Sequence, residues 1–555
     1  MEGLERNSTK NTKWHNKLRS YWLVQELIIL NTLAWPCVCN AFLSKMLAIV
    51  SLIFTGHIGS GVYLDGAALA LSFANIAGTS IIIGMASGME TLCSQANGAK
   101  NYKLVGVYYQ RAMILCLLFC FPIWAMWLNA ESILILLHQD VGVAKVTGDY
   151  LRILCFAKPA VIIFLLSSRF MQTQNVVFPI IFLTALGNVV NIICHYLFVY
   201  LFGFGVEGSA LSITIAYWSL AISYITYIRC STLYQTSWPG WNLDVLRGWV
   251  HYCKYGIPGL ITLCLEWWMF EIGFLIVGAT SLNPRVEVGI FTIMLNLGVQ
   301  LFTLPIGYSL AGTVRVGNLL GANNPSLAKK VSFLCLITTF VFGVFFCIGV
   351  FVLRPWLPRI FTKDDCIIAG ATSSLIITAI YENFDGVRKM GSGILNGCGR
   401  QKISSIVNFI IFLLIGAPLA CYLCVVFNLA TKGFWIGMSC AIFLQALAFF
   451  LLIIFTDWRK VADRAQENAG LAKVNKQTNS TPLLTNYTSL YNKTRKANIP
   501  LYRDMIKLLI VTALVGSFVI GLCFSILETS SNTNFTIVQS YNSTTFNTTQ
   551  ESCPY

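Results

Sequence analysis

Long apolar segments recur along almost the whole chain, and short polar stretches separate them. A helix needs about 20 mostly apolar residues to cross the hydrocarbon core of a membrane. Twelve segments up to residue 456 reach this length, and a thirteenth follows at 506–527. The pattern therefore predicts an all-α polytopic membrane protein. The twelve predicted spans are 24–54, 67–92, 107–128, 147–169, 177–202, 208–228, 250–278, 288–314, 331–353, 367–392, 403–427 and 432–455.

Composition supports this class and excludes others. Hydrophobic residues make up 56% of the 555 residues and charged residues 11%, with a mean hydropathy of +0.69. These values are typical of an integral membrane protein rather than of a soluble enzyme. The chain has no Gly-Lys-Ser/Thr phosphate-binding motif, and its histidines and cysteines lack the spacing of metal ligands. We therefore expect no enzymatic activity, no cofactor and no metal site.

The formal net charge of +15 indicates membrane topology rather than nucleic-acid binding. Basic residues are clustered before the first span, whereas no Lys or Arg follows Lys507. Because cytoplasmic loops carry an excess of Lys and Arg, we predict a cytoplasmic N-terminus. A thirteenth helix then places the C-terminal tail outside the cell. The tail carries three candidate N-glycosylation sites, Asn534, Asn542 and Asn547.

The two halves of the chain resemble each other. The segment "IGMASGMETLCSQANGAKN" at 83–101 aligns without a gap with "IGYSLAGTVRVGNLLGANN" at 306–324, at an offset of 223 in residue number. Two further matches follow in the same order at offsets of 224 and 225. Six spans followed by six spans of the same orientation are parallel repeats, related by an axis along the membrane normal. We therefore predict two six-helix bundles related by a pseudo-two-fold axis, as in a transporter that works by alternating access.

These patterns divide the chain into seven predicted segments. The stretch 457–505 is polar and basic, which is typical of a flexible linker. The segments are a cytoplasmic N-terminus (1–23), the first bundle (24–230), a cytoplasmic linker (231–249), the second bundle (250–456), a second cytoplasmic linker (457–505), the thirteenth helix (506–527) and an extracellular tail (528–555).

Two acids interrupt the apolar stretch "CLEWWMFEIG", which opens the second bundle. A charge inside a membrane is costly, so Glu266 and Glu271 are candidate functional residues. Each acid has a ring four residues away on its own helix face, Phe270 for Glu266 and Trp267 for Glu271. A carboxylate beside a ring suits an organic cation, and desolvation there also favours the protonated acid. We expect proton and cation to compete for Glu266, with Glu271 in support and the two rings lining the substrate site.

Several motifs in this sequence resemble those of the multidrug and toxin extrusion (MATE) family, specifically its animal branch. They are "AWPCVCN", "FTGHIGS", "CSQANGAKN", "CLEWWMFEIG", "TLPIGYSLAGTVRVGNLLGA" and "GILNGCGRQK", and the resemblance covers about residues 20–460. It implies an exporter of organic cations in exchange for protons, which serve as the coupling ion. It also implies a plasma-membrane protein, often at the apical face of epithelial cells. We further expect a monomer in the lipid bilayer, with no nucleic-acid partner.

The resemblance also indicates a third acid and two departures from the family pattern. Glu382 matches the family's acid in the tenth span, and Asn296 stands where animal relatives commonly have another acid. An amide there can orient a substrate or bond a neighbouring carboxylate. After Glu382 the chain is about three residues longer than the pattern and carries Asp385, Arg388 and Lys389. These charges are expected to mark the cytoplasmic end of the helix, a local rearrangement or a splicing peculiarity.

Other polar or kinking residues lie within the first bundle. Pro36 is a candidate hinge for gating, because proline removes a backbone hydrogen bond. Glu90 and Lys158 are expected to cap, snorkel or pair between helices. Lys45 lies well inside the first span without an evident local partner. Certain prokaryotic MATE members have an Asp at the position of Ser51, so we expect proton coupling to depend on the second bundle.

Two rival functions remain open at this point. A lipid or oligosaccharide flippase of the same superfamily would need a basic rather than an acidic cavity. A receptor or channel-like membrane protein would need no coupled transport at all, and it would leave the buried acids unexplained.

Overall fold

The computed structural model describes residues 2–59, 61–238, 240 and 243–471, and within these it describes the side chains from Trp22 onwards except that of residue 243. The predicted thirteenth helix at 506–527 and the tail at 528–555 lie outside the described residues. The same holds for most of the second linker and for Asn534, Asn542 and Asn547.

Twelve helices in the described residues are long and apolar enough to cross a membrane, in agreement with the twelve predicted spans. The first bundle comprises α1 (Glu2–Gly56), α2 (Gly61–Ala74), α3 (Ser80–Gly98), α4 (Tyr102–Leu118), α5 (Cys120–Leu128), α6 (Ala130–Leu136), α7 (Val141–Thr173), α8 (Phe178–His195), α9 (Gly205–Cys230) and the short α10 (Thr232–Ser237). A π-helical turn, Asn75–Thr79, joins α2 to α3 within one span.

The second bundle repeats this order. It comprises α11 (Trp249–Thr280), α12 (Pro284–Leu301), α13 (Thr303–Gly321), α14 (Pro325–Leu353), α15 (Asp365–Gly397), α16 (Gln401–Asn408), α17 (Ala417–Val425) and α18 (Ala430–Ile454), followed by α19 (Trp458–Asn468). The eighth span, like the second, is interrupted midway, here between α12 and α13.

Helix caps recur at the offsets of the sequence repeat. The side chain of Asn101 accepts a hydrogen bond from the Leu104 amide at the start of α4, and its repeat equivalent, Asn324, caps α14 in the same way. Asp140 caps α7, and its repeat equivalent, Asp364, caps α15. The two capped helices α7 and α15 each contain 33 residues. The repeat predicted from sequence is therefore confirmed at the level of local structure.

The bundles meet where the most similar segments of the repeat cross. A Cβ atom added to Gly98 of α3 would lie 2.0 Å from the carbonyl oxygen of Asn318 in α13. A Cβ atom added to Gly321 of α13 would lie 2.0 Å from the carbonyl oxygen of Gln95 in α3. The two contacts are equivalent, because the offset of the repeat converts one into the other. Glycine is needed at both positions, since any side chain would push the two helices apart.

The prediction of a flexible linker from residue 457 is wrong for 458–468, which form α19. The helix packs against α3 of the first bundle and against α13 and α14 of the second. Asn468 donates to Gln95 Oε1 at 2.9 Å and accepts a hydrogen bond from the Tyr255 hydroxyl at 3.2 Å. The buried residues of α19 have the spacing of an amphipathic helix; they are Trp458, Val461, Ala462 and Ala465.

Candidate functional site

Glu266 lies in an ion-pair cluster. It is 5% exposed on α11, and its carboxylate faces α15. Oε1 is 2.5 Å from Arg388 Nη1, and Oε2 is 3.6 Å from Lys389 Nζ. The Arg388 guanidinium also donates from Nε to Asp385 Oδ1 at 2.5 Å. We call these four residues the charge cluster; it contains two acids and two bases, so its formal charge is zero.

Of the three alternatives for the charges after Glu382, a cytoplasmic helix end is wrong, and the other two stay open. Helix α15 continues unbroken past Arg388 to Gly397. Asp385 is 5% exposed and Arg388 is 2% exposed, so both lie inside the protein. Burial of these charges is compensated by their pairing with each other and with Glu266.

Glu271 faces a different neighbour, as its five-residue separation from Glu266 implies. It is half-buried on α11, and one oxygen accepts a hydrogen bond from the Ser72 hydroxyl of α2 at 3.4 Å. No Lys or Arg within the described part of the chain forms an ion pair with it. Glu271 is thus an acid at the contact between the bundles without a basic partner there.

The two rings that the sequence placed at the substrate site have different surroundings. Trp267 is half-buried on α11. Phe270 packs into an aromatic group with ring centroids at 5.9 Å from Trp435, 6.3 Å from Tyr381 and 6.4 Å from Phe434. This group fills the space between α11, α15 and α18.

Glu382 lies on α15 against the interruption of the eighth span. Its Oε2 atom is buried and has no hydrogen-bond partner among the described residues, and the same is true of Asn383 Oδ1. Both residues line a small cavity with Leu301 and Pro305. The cavity has room for about one or two water molecules. Glu382 therefore lies beside a small cavity with one carboxylate oxygen unpartnered among the described residues; its role in proton binding stays a prediction.

Asn296 does not bond any of the three acids. It is exposed on α12, and its amide nitrogen donates to the carbonyl oxygen of Thr292 one turn earlier at 2.9 Å. Of its two expected roles, bonding a neighbouring carboxylate is wrong for this structure. Orienting a substrate stays a prediction.

Lys45 has a partner that local sequence could not show. Its ammonium donates to the carbonyl oxygen of Val299 at 2.5 Å and to the Thr303 hydroxyl at 2.6 Å, at the interruption between α12 and α13. Trp268, the repeat equivalent of Lys45, donates from its indole to the carbonyl oxygen of Ile76 at 3.5 Å. Ile76 is in turn the repeat equivalent of Val299. Lys45 of the first bundle therefore bonds the interrupted eighth span, and Trp268 of the second bundle bonds the equivalent interrupted second span.

The first bundle buries a network of hydroxyls and one histidine. The hydroxyls of Tyr150 and Ser209 each lie 2.7 Å from Ser51 Oγ. His195 Nε2 lies 3.1 Å from Ser209 Oγ, and its Nδ1 lies 2.8 Å from the Asn191 carbonyl oxygen. The side chains of Ser51, Tyr150, Ser209 and His195 are at most 1% exposed, and that of Asn191, which is also fully buried, donates separately to the Leu47 carbonyl oxygen at 3.0 Å. The network carries no formal charge when the histidine is neutral.

The remaining first-bundle predictions are placed as follows. Glu90 pairs between helices with Arg169 at 3.2 Å. Lys158 does not snorkel, because it is 1% exposed and donates to the Thr79 hydroxyl at 3.3 Å. Pro36 lies inside α1, where it interrupts the backbone ladder as predicted. Its role as a hinge stays a prediction.

The sequence analysis noted Asp385, Arg388 and Lys389 only as departures from the family pattern, yet Arg388 and Lys389 contact Glu266 directly and Asp385 is joined to it through Arg388. A signal was available: Asp385 and Arg388 stand three apart, the spacing of a helical ion pair. Two opposite charges at that spacing inside an apolar span predict burial of the pair. The third partner could not be predicted, because Glu266 is 122 residues away along the chain.

The described residues form twelve helices long enough to span a membrane, in two repeated bundles, with charged side chains buried inside the second bundle, an arrangement typical of a polytopic membrane transporter. The model of the MatE family matches residues 36–197 and 258–422, one segment in each bundle. The chain therefore belongs to the MatE family of transporters, and it is not an enzyme.

Individual relatives agree with this assignment. Multidrug and toxin extrusion protein 1 of Mus musculus is 36% identical over 457 residues, which cover 82% of this chain and 80% of the relative. Protein DETOXIFICATION 17 of Arabidopsis thaliana is 34% identical, and the match covers 79% of this chain and 92% of the relative. The crystal structure of the eukaryotic MATE transporter AtDTX14 is similar with a TM-score of 0.78 and 29% identity, covering 80% of this chain and 99% of that chain.

Proposed function

We propose that this protein exports organic cations in exchange for protons by alternating access. It would act in the plasma membrane, at the apical face of epithelial cells, with its N-terminus in the cytoplasm and its C-terminus outside. The observation that carries the proposal is Glu271, a half-buried acid at the contact between the bundles whose described partner is a hydroxyl rather than a base.

An acid in this position suits a large cation. Partial burial lowers the local dielectric, so Coulomb attraction to a bound cation is stronger than in water. The hydroxyl of Ser72 is a weak competitor, since its hydrogen bond of 3.4 Å is long. The half-buried Trp267 shares a helix face with Glu271 and offers a ring for cation–π contact.

Coupling to protons follows if a proton and the organic cation compete for the same acids. A proton on Glu271 removes its negative charge and with it the attraction for the cation. A proton on Glu266 changes the charge cluster from zero to +1, because Arg388 and Lys389 keep their charges. Both changes favour release of a cation, so an inward proton gradient drives export.

The repeated framework supports alternating access. The close contacts at Gly98 and Gly321, together with α19, join the bundles at the ends that the charge pattern assigns to the cytoplasm. Pro36 in α1 and Pro258 in α11 interrupt the first helix of each bundle, at nearly the offset of the repeat. Helices bend readily at proline, so each bundle has a position at which it can open toward one side.

The test is uptake of radiolabelled tetraethylammonium into proteoliposomes with and without an imposed pH gradient. We expect the wild type to accumulate the cation against its gradient only when the lumen is acidic. Glu271→Gln should lower this uptake at least about tenfold, because a lost interaction of about 1.4 kcal/mol has that effect. Glu207→Gln is the control, since Glu207 is an exposed acid on α9.

Three outcomes would contradict the proposal. Normal gradient-driven uptake by Glu271→Gln at equal protein level would exclude the role of this acid. Equal uptake with and without the gradient in the wild type would indicate a channel-like protein. Absence of cation uptake together with transfer of a fluorescent phospholipid between leaflets would indicate a flippase.

A further inference from the structure

Lys45 is a charged residue without a role in the proposed transport cycle. It is half-buried on α1, the first helix of the first bundle. Its ammonium reaches the second bundle, where it donates to the Val299 carbonyl oxygen at 2.5 Å and to the Thr303 hydroxyl at 2.6 Å. The equivalent contact at the second span is made by the neutral indole of Trp268. A hydrogen bond to an interrupted span therefore does not by itself require a charge at position 45.

Glu382 lies against the same interruption from within the second bundle. Its Oε1 atom is 2.6 Å from the position that a Cβ atom would take on Gly298, the residue before Val299. Its Oε2 atom is buried without a hydrogen-bond partner among the described residues. Lys45 lies within electrostatic range of this carboxylate. The end of α12 thus contacts an acid of its own bundle and an ammonium of the first bundle.

In the described part of the chain, the other titratable groups within range of Glu382 lie on its own helix. They are Asp385 and Arg388, which form an ion pair at 2.5 Å, and the phenol of Tyr381. A buried carboxylate with an oxygen that lacks a hydrogen bond depends on a nearby positive charge to stay ionised. Because Arg388 is already paired, Lys45 is the base whose charge is left to act on Glu382.

We propose that Lys45 is a positioning residue that couples protonation of Glu382 to the contact between the bundles. This inference rests on the proposed proton-coupled transport. While Glu382 is ionised, its charge attracts the ammonium and holds α1 against the end of α12. A proton on Glu382 removes that attraction, and the contact is then held by hydrogen bonds alone. A proton bound in the second bundle thereby loosens its contact with the first bundle.

The test is gradient-driven uptake of tetraethylammonium into proteoliposomes, measured over a series of lumen pH values at constant external pH. Lys45→Met and Lys45→Gln both remove the charge, and the glutamine amide can still donate to the Val299 carbonyl oxygen. We expect the midpoint of uptake to move to higher lumen pH by about one unit in both variants, because loss of a nearby positive charge favours the protonated acid. Lys45→Arg keeps the charge and should keep the wild-type midpoint.

Two further variants control for an effect on structure alone. Trp268→Phe is the matched control, because Trp268 makes the equivalent contact without a charge. It should keep the wild-type midpoint whatever its effect on stability. In a Glu382→Gln background the acid cannot titrate, so adding Lys45→Met should cause no further shift of the midpoint.

The outcomes separate this inference from the function on which it rests. If the neutral variants lower uptake equally at all pH values and keep the midpoint, Lys45 has a structural role only and the inference is wrong, while the proposed function stands. Should Lys45→Met fail to fold, Lys45→Gln decides the comparison. A shift by Lys45→Met that persists in the Glu382→Gln background also overturns the inference. If the wild type takes up tetraethylammonium equally at every lumen pH, the proposed function itself fails.

Discussion

The first bundle buries a histidine among hydroxyl groups, whereas the second buries two acids and Arg388 in contact with one another and with the partly exposed Lys389. The frameworks around them are equivalent: α7 and α15 have equal lengths and the same type of N-terminal cap. At the same offset as these two caps, Lys158 of α7 corresponds to Glu382 of α15. The chain thus repeats its backbone and changes the chemistry of its interior.

The difference assigns separate tasks to the two halves. A hydroxyl network satisfies its own hydrogen bonds without a counter-ion, so it stabilises the first bundle at any pH at which His195 is neutral. The charge cluster changes its net charge whenever one carboxylate is protonated. Repetition of the framework is suited to symmetric opening and closing. Acids are buried in both halves, Glu90 with Arg169 in the first and Glu266 and Asp385 with Arg388 in the second, and we propose that the second set senses protons.

The largest expected effect comes from breaking the charge cluster. Arg388→Met leaves Glu266 and Asp385 buried without their main partner, which should destabilise the protein by about 3–5 kcal/mol. Thermal unfolding of the detergent-solubilised protein measures this loss. Adding Asp385→Asn should recover much of it. In the first bundle, Arg169→Met should cost less, because the Glu90–Arg169 pair is more exposed; equal losses would contradict the contrast.

Two matched substitutions test the symmetry of the contact between bundles. Gly98→Ala and Gly321→Ala each place a methyl group against backbone of the opposite bundle. Overpacking of this kind should destabilise the protein by up to about 3 kcal/mol, and by similar amounts in the two variants. The same unfolding assay compares them. A loss in one variant and none in the other would show that the contact is not symmetric.

The hydrogen bonds from Lys45 and from Trp268 to the interrupted spans should differ in strength, because only that from Lys45 has a charged donor. Lys45→Met should cost about 2 kcal/mol, as for hydrogen bonds from a charged group. Trp268→Phe should cost at most about 1 kcal/mol, because it removes one long neutral hydrogen bond. Chemical denaturation followed by far-ultraviolet circular dichroism gives both values. A larger loss of stability for Trp268→Phe than for Lys45→Met would contradict the assignment of the stronger hydrogen bond to Lys45.

The smallest effect is expected in the hydroxyl network. Ser51→Ala removes one hydroxyl from contacts with Tyr150 and Ser209, which can still bond each other at 3.4 Å. The cost should be about 1 kcal/mol. The dependence of transport on pH should not change, and a shift in that dependence would place proton coupling partly in the first bundle.

Much of the fold followed from patterns that the sequence displays openly. Apolar lengths predicted the spans, and a nearly constant offset between similar segments predicted the repeat. The amphipathic spacing of α19 was also present but was obscured by the polar stretch around it. Contacts between distant residues could not be predicted. Lys45 donates to the carbonyl oxygen of Val299, 254 residues away along the chain, and no periodicity of the sequence indicates which carbonyl group an ammonium contacts.

The candidate site residues could be selected from the sequence, but their contacts could not. The cost of a charge in a membrane was sufficient to select Glu266 and Glu271, whereas Glu382 was selected by the resemblance to the family. It could not show that Glu266 already has two basic partners while Glu271 has none among the described residues. That distinction depends on which side chains of α15 reach Glu266 of α11, which only the folded chain shows.

The most direct test of the central claim is gradient-driven tetraethylammonium uptake measured against lumen pH for Glu271→Gln and His195→Gln in parallel. Glutamine at position 195 can keep a hydrogen bond to Ser209 but cannot titrate. The account predicts that His195→Gln keeps the wild-type dependence on pH, whereas Glu271→Gln loses gradient-driven uptake. Loss of coupling in His195→Gln with normal coupling in Glu271→Gln would contradict the assignment of proton coupling to the second bundle.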